Sequence, residues 1–150
     1  MKLYRIAKEN YADDLRGMGG LYEAGRWHRE GTQIVYTSEF VSLAMLEVLG
    51  HWKKTPVGLA LVTIEVPDEA STLFVSANEL PADWREFPYL PALADLTDRW
   101  IETGEQWIMR VPSTHSPSEF NYLLNPLHPE HTTLRLIRTE PHPFDPRLKQ

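Results

Sequence analysis

The sequence predicts an α+β fold, on three observations. Runs of β-branched and aromatic residues outnumber segments with helical spacing, and the two kinds do not alternate regularly, as a doubly wound parallel sheet would require. The length, 150 residues, suits one domain whose core closes without metal or disulfide. The composition, 42% hydrophobic and 24% charged, is that of an ordinary globular protein, not of a disordered chain or a coiled coil.

The elements follow in order. Leu3 to Ile6 alternates as a first strand. Asp13 to Arg16 is expected to form a turn of helix, stopped by Gly17 and the Gly19-Gly20 pair. The segment from Leu21 to Gly31 is polar and aromatic, centred on Arg26-Trp27-His28-Arg29, and Ile34-Val35-Tyr36 then reads as a strand. Thr37 or Ser38, followed by Glu39, supplies an N-cap and an acidic first turn for a helix from about Glu39 to Leu49. That helix closes at Gly50, with His51 beside it.

Lys53 to Pro56 is an exposed loop, and Gly58 to Val66 is the expected central strand, ended by Pro67. Thr72 to Val75 is the next strand, and Pro81 to Pro91 is loop. Ala92 to Thr103 sets Leu93, Leu96, Trp100 and Ile101 at helical spacing, with Gly104 at the stop. Trp107 to Val111, Tyr122 to Leu124 and Leu134 to Arg138 complete the strands, and the proline-rich tail from Pro141 to Gln150 is expected to be coil. No internal repeat or low-complexity linker interrupts the chain, so residues 1–150 read as a single domain.

Several function classes fall away on composition. There is no cysteine, which excludes a disulfide scaffold, a thiolate zinc site and a cysteine nucleophile. The net charge of −6 and pI near 5.5 offer no basic footprint for nucleic acid. The amino terminus has no apolar signal-like region. The longest apolar stretches, Val41 to Leu49 and Val57 to Val66, fall well short of the roughly 20 residues of a membrane span. A soluble, cytoplasmic protein without direct nucleic-acid or membrane binding is expected.

Glu47 is the most informative single residue. Its helix is apolar on nearly every face, which predicts a buried helix and a carboxylate that is partly buried and unpaired. Proteins tolerate that cost chiefly at working sites. Arg26, between Gly25 and Trp27, suits bidentate recognition of a phosphate or carboxylate, although alone it reads as a surface arginine packed on Trp27. Tyr36 is suited to stack on a planar ring or to join the core. The segment from Val111 to Pro126 is dense in small hydroxyls and amides, so Ser113 and Asn121 can line a polar pocket, although Ser, Asn and Pro are also turn residues. It has no Gly-x-Ser-x-Gly elbow. His128 and His131 are three apart, but Pro129 lies between them and no third ligand is near, so no metal site is expected. A Gly-rich phosphate loop is also missing.

Taken together, several blocks resemble one family, the RES domain, the toxin half of RES–Xre toxin–antitoxin systems. They are Gly25-Arg26-Trp27 to Gly31-Thr32, Val35-Tyr36-Thr37-Ser38-Glu39, Ala44-Met45-Leu46-Glu47-Val48-Leu49 and Leu80-Pro81-Ala82-Asp83-Trp84. The most specific block runs from Val111-Pro112-Ser113 through Glu119 and Asn121 to Pro126 and His128-Pro129, and Phe144-Asp145-Pro146-Arg147-Leu148 closes the series.

The resemblance implies an ADP-ribosyltransferase-like fold with two packed β-sheets and peripheral helices. It implies NAD as substrate rather than as a cofactor, and Arg26, Tyr36, Glu47 and Ser113 as pocket residues converging on one cleft, with Asn121 adding a hydrogen bond. It also implies a cognate Xre-like antitoxin, in a complex of higher order, with the antitoxin making the DNA contacts. The activity implied is cleavage of the nicotinamide–ribose bond of NAD by hydrolysis or phosphorolysis. The alternatives are ADP-ribosylation of a protein target and a non-catalytic nucleotide-binding module.

Overall fold

The computed structural model describes residues 1–149. Its strands are β1 (Lys2–Lys8), β2 (Val35–Ser38), β3 (Leu59–Glu65), β4 (Thr72–Phe74), β5 (Ile108–Pro112), β6 (Phe120–Leu124) and β7 (Arg135–Pro141), with helices α1 (Val41–His51) and α2 (Pro91–Thr103). The fold is α+β, as the sequence predicts. The strands form one seven-stranded sheet in the order β4-β5-β6-β2-β1-β3-β7. Only β4 and β5 run parallel.

The two packed sheets implied by the resemblance are here two halves of one sheet. β1 pairs with β3 along its whole length, from Lys2 opposite Glu65 to Lys8 opposite Leu59. With β2 it shares a single register pair, Tyr4 opposite Ser38, and beyond that pair the strands part.

Alternation along the strands builds a core on each face. Ala60, Val62 and Ile64 of β3 join Leu3, Val35, Ile108 and Leu124 in one cluster. Leu59 and Leu61 point the other way, against Ile6, Ala44 and Phe144 under α1. On that same face α2 sets Leu93 and Trp100 against Met109, Val111 and Leu123. The helices therefore cover different halves of one face and leave a gap between them. β3, expected to be central, lies between β1 and β7 and is buried almost throughout. The edge strand β7 is mostly exposed and carries Arg135, Arg138 and Glu140, charges that discourage edge-to-edge pairing.

Four local expectations are corrected. Asp13 to Arg16 is not helical, because the Asp14 carboxylate accepts from the Arg16 backbone N–H (3.1 Å) and guanidinium (2.8 and 2.7 Å) and so competes with helix hydrogen bonding. α1 starts at Val41 with Phe40 as its N-cap and runs through Gly50 to His51. Its expected cap residues serve elsewhere, Ser38 donating to Asn121 and Glu39 accepting from the Phe120 amide. Nor is α1 buried all round: Leu43 and Ala44 are buried, whereas Leu46 is 42% exposed. The tail is not all coil, since Pro141 pairs with Ala60 and a short 3-10 turn spans Pro146–Leu148. Among the described residues no helix is long and apolar enough to cross a membrane.

His131 bolts the loop before β7 to the core. Trp107 Nε1 donates to its Nδ1 (3.0 Å), and its Nε2 donates to the Leu15 carbonyl (2.8 Å). The bond from Trp107 requires an unprotonated Nδ1, and burial lowers the pKa of His131 and likewise of His28. With folded pKa values below the unfolded 6.5, the unfolded chain binds protons first as pH falls through 6.5, so stability drops there. The melting temperature is expected to fall between about pH 7 and about pH 5, and less steeply in His131→Gln, which keeps a donor and an acceptor without titrating. Equal slopes in the two proteins would refute this account.

Candidate active site

A cleft of about 680 Å³ opens between β1, β2, α1 and the segment from Gly17 to Ile34. Arg26, Tyr36, Glu47 and Asn121 line it, whereas Ser113 lies behind the wall. This arrangement brings together residues from the 22–31 loop, β2, α1 and β6.

Glu47 sits on the face of α1 turned toward β5 and β6, its side chain 27% exposed. Its Oε1 accepts from Ser113 Oγ (2.7 Å) and Asn121 Nδ2 (2.8 Å), and its Oε2 lies 3.7 Å from His115 Nε2. The expectation of an unpaired carboxylate is therefore corrected. The two direct donors are neutral, so they orient the carboxylate without cancelling its charge.

Each donor is fixed in turn. Ser113 follows β5 and is 1% exposed; its Oγ also accepts from the backbone amides of His115 (3.1 Å) and Ser116 (3.3 Å). With Oγ fully engaged and the side chain buried, Ser113 supports Glu47 rather than facing the cleft. Asn121 is directly opposite Ser38 on β2, whose hydroxyl donates to its Oδ1 (2.7 Å), leaving the amide nitrogen for Glu47. His115 packs so closely on α1 that a Cβ at Gly50 would come within 2.5 Å of its ring.

Also lining the cleft, Arg26 donates through Nη1 to the carbonyls of Trp84 (3.0 Å) and Glu86 (2.9 Å), and its guanidinium lies 4.8 Å over the Tyr89 ring. Burial lowers its pKa, opposed by the charges of Tyr89 and Glu47. An arginine fixed by carbonyls and an aromatic face, with no carboxylate bonded to it, keeps its charge for an anion. The loop that carries it is tied to α2 by Arg29, which pairs with Asp95 and Asp98 at 2.6 Å each. Tyr36 directs its hydroxyl at His28, 2.6 Å away.

Sequence reasoning missed His28, Tyr89 and His115. None stands in a motif of its own, and each earns its place through a partner distant in sequence or in a loop. His128 and His131, considered as metal ligands, make structural hydrogen bonds instead. Among the described residues no group of three or more metal-ligating side chains converges.

The profile of the RES domain family matches residues 2–145. A protein named Toxin Res, from Pseudomonas putida, is 38% identical over 99% of this chain and 99% of its own. One from Sphingobium sp., named Prs ADP-ribosylating toxin, is 34% identical over 95% of this chain and 91% of its own. Among solved structures, a chain in the crystal structure of the M. tuberculosis MbcT–MbcA toxin–antitoxin complex superposes with a TM-score of 0.77 at 16% identity, covering 98% of this chain and 85% of that one. That likeness concerns the fold.

The support beneath Glu47 can be tested by itself. Ser113→Ala removes a donor from Glu47 and leaves two amides without their acceptor, so it is expected to destabilise the protein by about 1–3 kcal/mol in denaturant titration. Ser116→Ala removes only a bond to Glu119 at the loop surface and is expected to cost less. A Ser113→Ala protein as stable as the parent would contradict this role.

Proposed function

The chain belongs to the RES domain family, and from that premise we propose that it is the toxin of a toxin–antitoxin system, breaking the nicotinamide–ribose bond of NAD. The observation that carries the reading is Glu47: one carboxylate on the cleft wall, oriented by two neutral donors and sharing the cleft with Arg26 and Tyr36.

This chemistry suits a single carboxylate. Nicotinamide leaves a cationic ribosyl–pyridinium as a neutral molecule, so no general acid is needed to protonate the leaving group. Ordinary glycosidases need a second carboxylate because their leaving group is an alkoxide. As the bond lengthens, positive charge grows on the anomeric carbon and the ring oxygen, and Glu47 stabilises it electrostatically. Its Oε2, with no hydrogen bond closer than the His115 contact, is available to a ribose hydroxyl. Arg26 holds the pyrophosphate through its guanidinium. Tyr36 packs against the nicotinamide or its ribose. Asn121 supports the carboxylate and borders the ribose, and Ser113 acts through Glu47 from behind.

The acceptor of ADP-ribose is water or phosphate in the first reading. A second reading, transfer to a protein, is favoured by the name of the Sphingobium relative. Both share the same bond cleavage. An enzyme that drains NAD needs restraint, and the structural neighbour's place in a toxin–antitoxin complex supports a cognate antitoxin, of Xre type in this reading. The chain's charge of −6 leaves DNA contacts to that partner.

Incubation with NAD, with and without phosphate and cell lysate, followed by mass analysis, separates the readings. Free ADP-ribose marks hydrolysis, its phosphate adduct marks phosphorolysis, and modified protein marks transfer. Binding of NAD without consumption would sink the enzymatic proposal in favour of a binding module. Glu47→Gln is expected to slow turnover about 10²–10³-fold with little change in NAD affinity, because the opposed charge appears in the transition state. Its stability should stay near parental, since a Gln oxygen can accept from Ser113 and Asn121 as Oε1 does. Arg26→Ala is expected to weaken NAD binding as well as turnover, as pyrophosphate contacts exist in the ground state. A folded Glu47→Gln protein working at the parental rate would rule this mechanism out.

A further inference from the structure

His28 stands one turn of loop from Arg26 but has no part in the chemistry above. It is 6% exposed, and its ring lies 5.4 Å from that of Tyr36. Its Nε2 is 2.8 Å from the Glu23 carbonyl, and its Nδ1 is 2.6 Å from the Tyr36 hydroxyl. A carbonyl only accepts, so Nε2 carries the ring proton. In the neutral imidazole Nδ1 is then an acceptor, and the Tyr36 hydroxyl must be the donor. Burial lowers the pKa of His28 and raises that of Tyr36, which keeps both groups neutral.

The backbone is shaped around this contact. Gly25 donates to the His28 carbonyl (3.1 Å), closing a tight turn. A Cβ at Gly25 would stand 2.9 Å from His28 Cε1 and 3.0 Å from the Tyr36 hydroxyl, closer than such atoms pack. The glycine beside Arg26 is thus explained by the pair it must pass.

We propose that His28 is a positioning residue that accepts the hydrogen bond of the Tyr36 hydroxyl, so that the phenol presents only its ring and an oxygen lone pair to the cleft. Tyr36 is then an acceptor for a hydroxyl of its ligand and not a donor. Resting on the NAD reading, that ligand hydroxyl belongs to a ribose. The Glu23 carbonyl begins the relay, and the Gly25 turn holds its parts in contact.

The test compares NAD consumption by wild type, Tyr36→Phe, His28→Leu, His28→Gln and the double variant Tyr36→Phe/His28→Leu. His28→Leu frees the hydroxyl to rotate and donate, and is expected to lower kcat/KM about tenfold, the size of one hydrogen bond. Adding it to Tyr36→Phe should cost nothing further, because the two act as one unit. His28→Gln, whose amide carries an acceptor and a donor, should recover most of the loss. Additive effects, or an unimpaired His28→Leu protein, would overturn the proposal while leaving the NAD reading intact.

A second measurement needs neither NAD nor the leucine variant to fold. The ¹⁵N NMR spectrum of His28 should show a protonated Nε2 and an Nδ1 acting as an acceptor, and the Nδ1 resonance should move in Tyr36→Phe. An Nδ1-protonated ring, or no response to Tyr36→Phe, would refute it. If wild type neither binds nor consumes NAD but the spectrum is as expected, the positioning role stands and the substrate assignment falls.

Discussion

The architecture turns on one register pair. β1 and β2 pair only where Tyr4 faces Ser38, and residues of both strands line the cleft. α1 and α2 pack on separate clusters of one face, and the cleft lies beside α1. The pinning residue is also the first link of the site. Ser38 donates to Asn121, Asn121 donates to Glu47, and the carboxylate is thereby referenced to the point where the sheet is held.

Buried charges usually find an ion partner or change protonation. Glu47 takes another course: neutral donors on one oxygen, a partly exposed histidine near the other, and an arginine in the same cleft. A lysine or arginine bonded directly to it would have satisfied the carboxylate better in the resting protein, and would also have blunted its field where charge develops during reaction. Arg26 follows the same logic with opposite sign, held by carbonyls and a tyrosine ring rather than by a carboxylate. The two charges are fixed by groups that do not neutralise them.

Much of this was legible in the sequence, because its signals are local. Short runs of β-branched and aromatic residues, alternating in Leu3–Ile6 and Leu134–Arg138, marked the strands, and the spacing of Leu93, Leu96, Trp100 and Ile101 marked α2 to within a residue of its start. Glu47 stood out against an apolar helix. What was not legible depends on partners far along the chain. Ser38 and Glu39 look like a helix cap, yet they serve Asn121 and Phe120, more than eighty residues away, at separations of 83 and 81. Glu47 looked unpaired because its partners Ser113 and Asn121 lie 66 and 74 residues further along the chain. His28 carried no motif, since its meaning lies in the tautomer that one carbonyl imposes. Local pattern predicts elements; pairing between elements decides what their polar residues do.

The tether of the Arg26 loop differs in kind from the rest of the site. Arg29 reaches Asp95 and Asp98 at the protein surface, with all three side chains substantially exposed. Dissolved ions screen such pairs, over a Debye length of about 8 Å at physiological ionic strength, whereas the bonds behind Glu47 are shielded from them. Ionic strength therefore acts on one wall of the cleft and spares the other, so the salt content of the medium becomes a variable of its shape, loosening the anion-facing loop while the carboxylate stays in place.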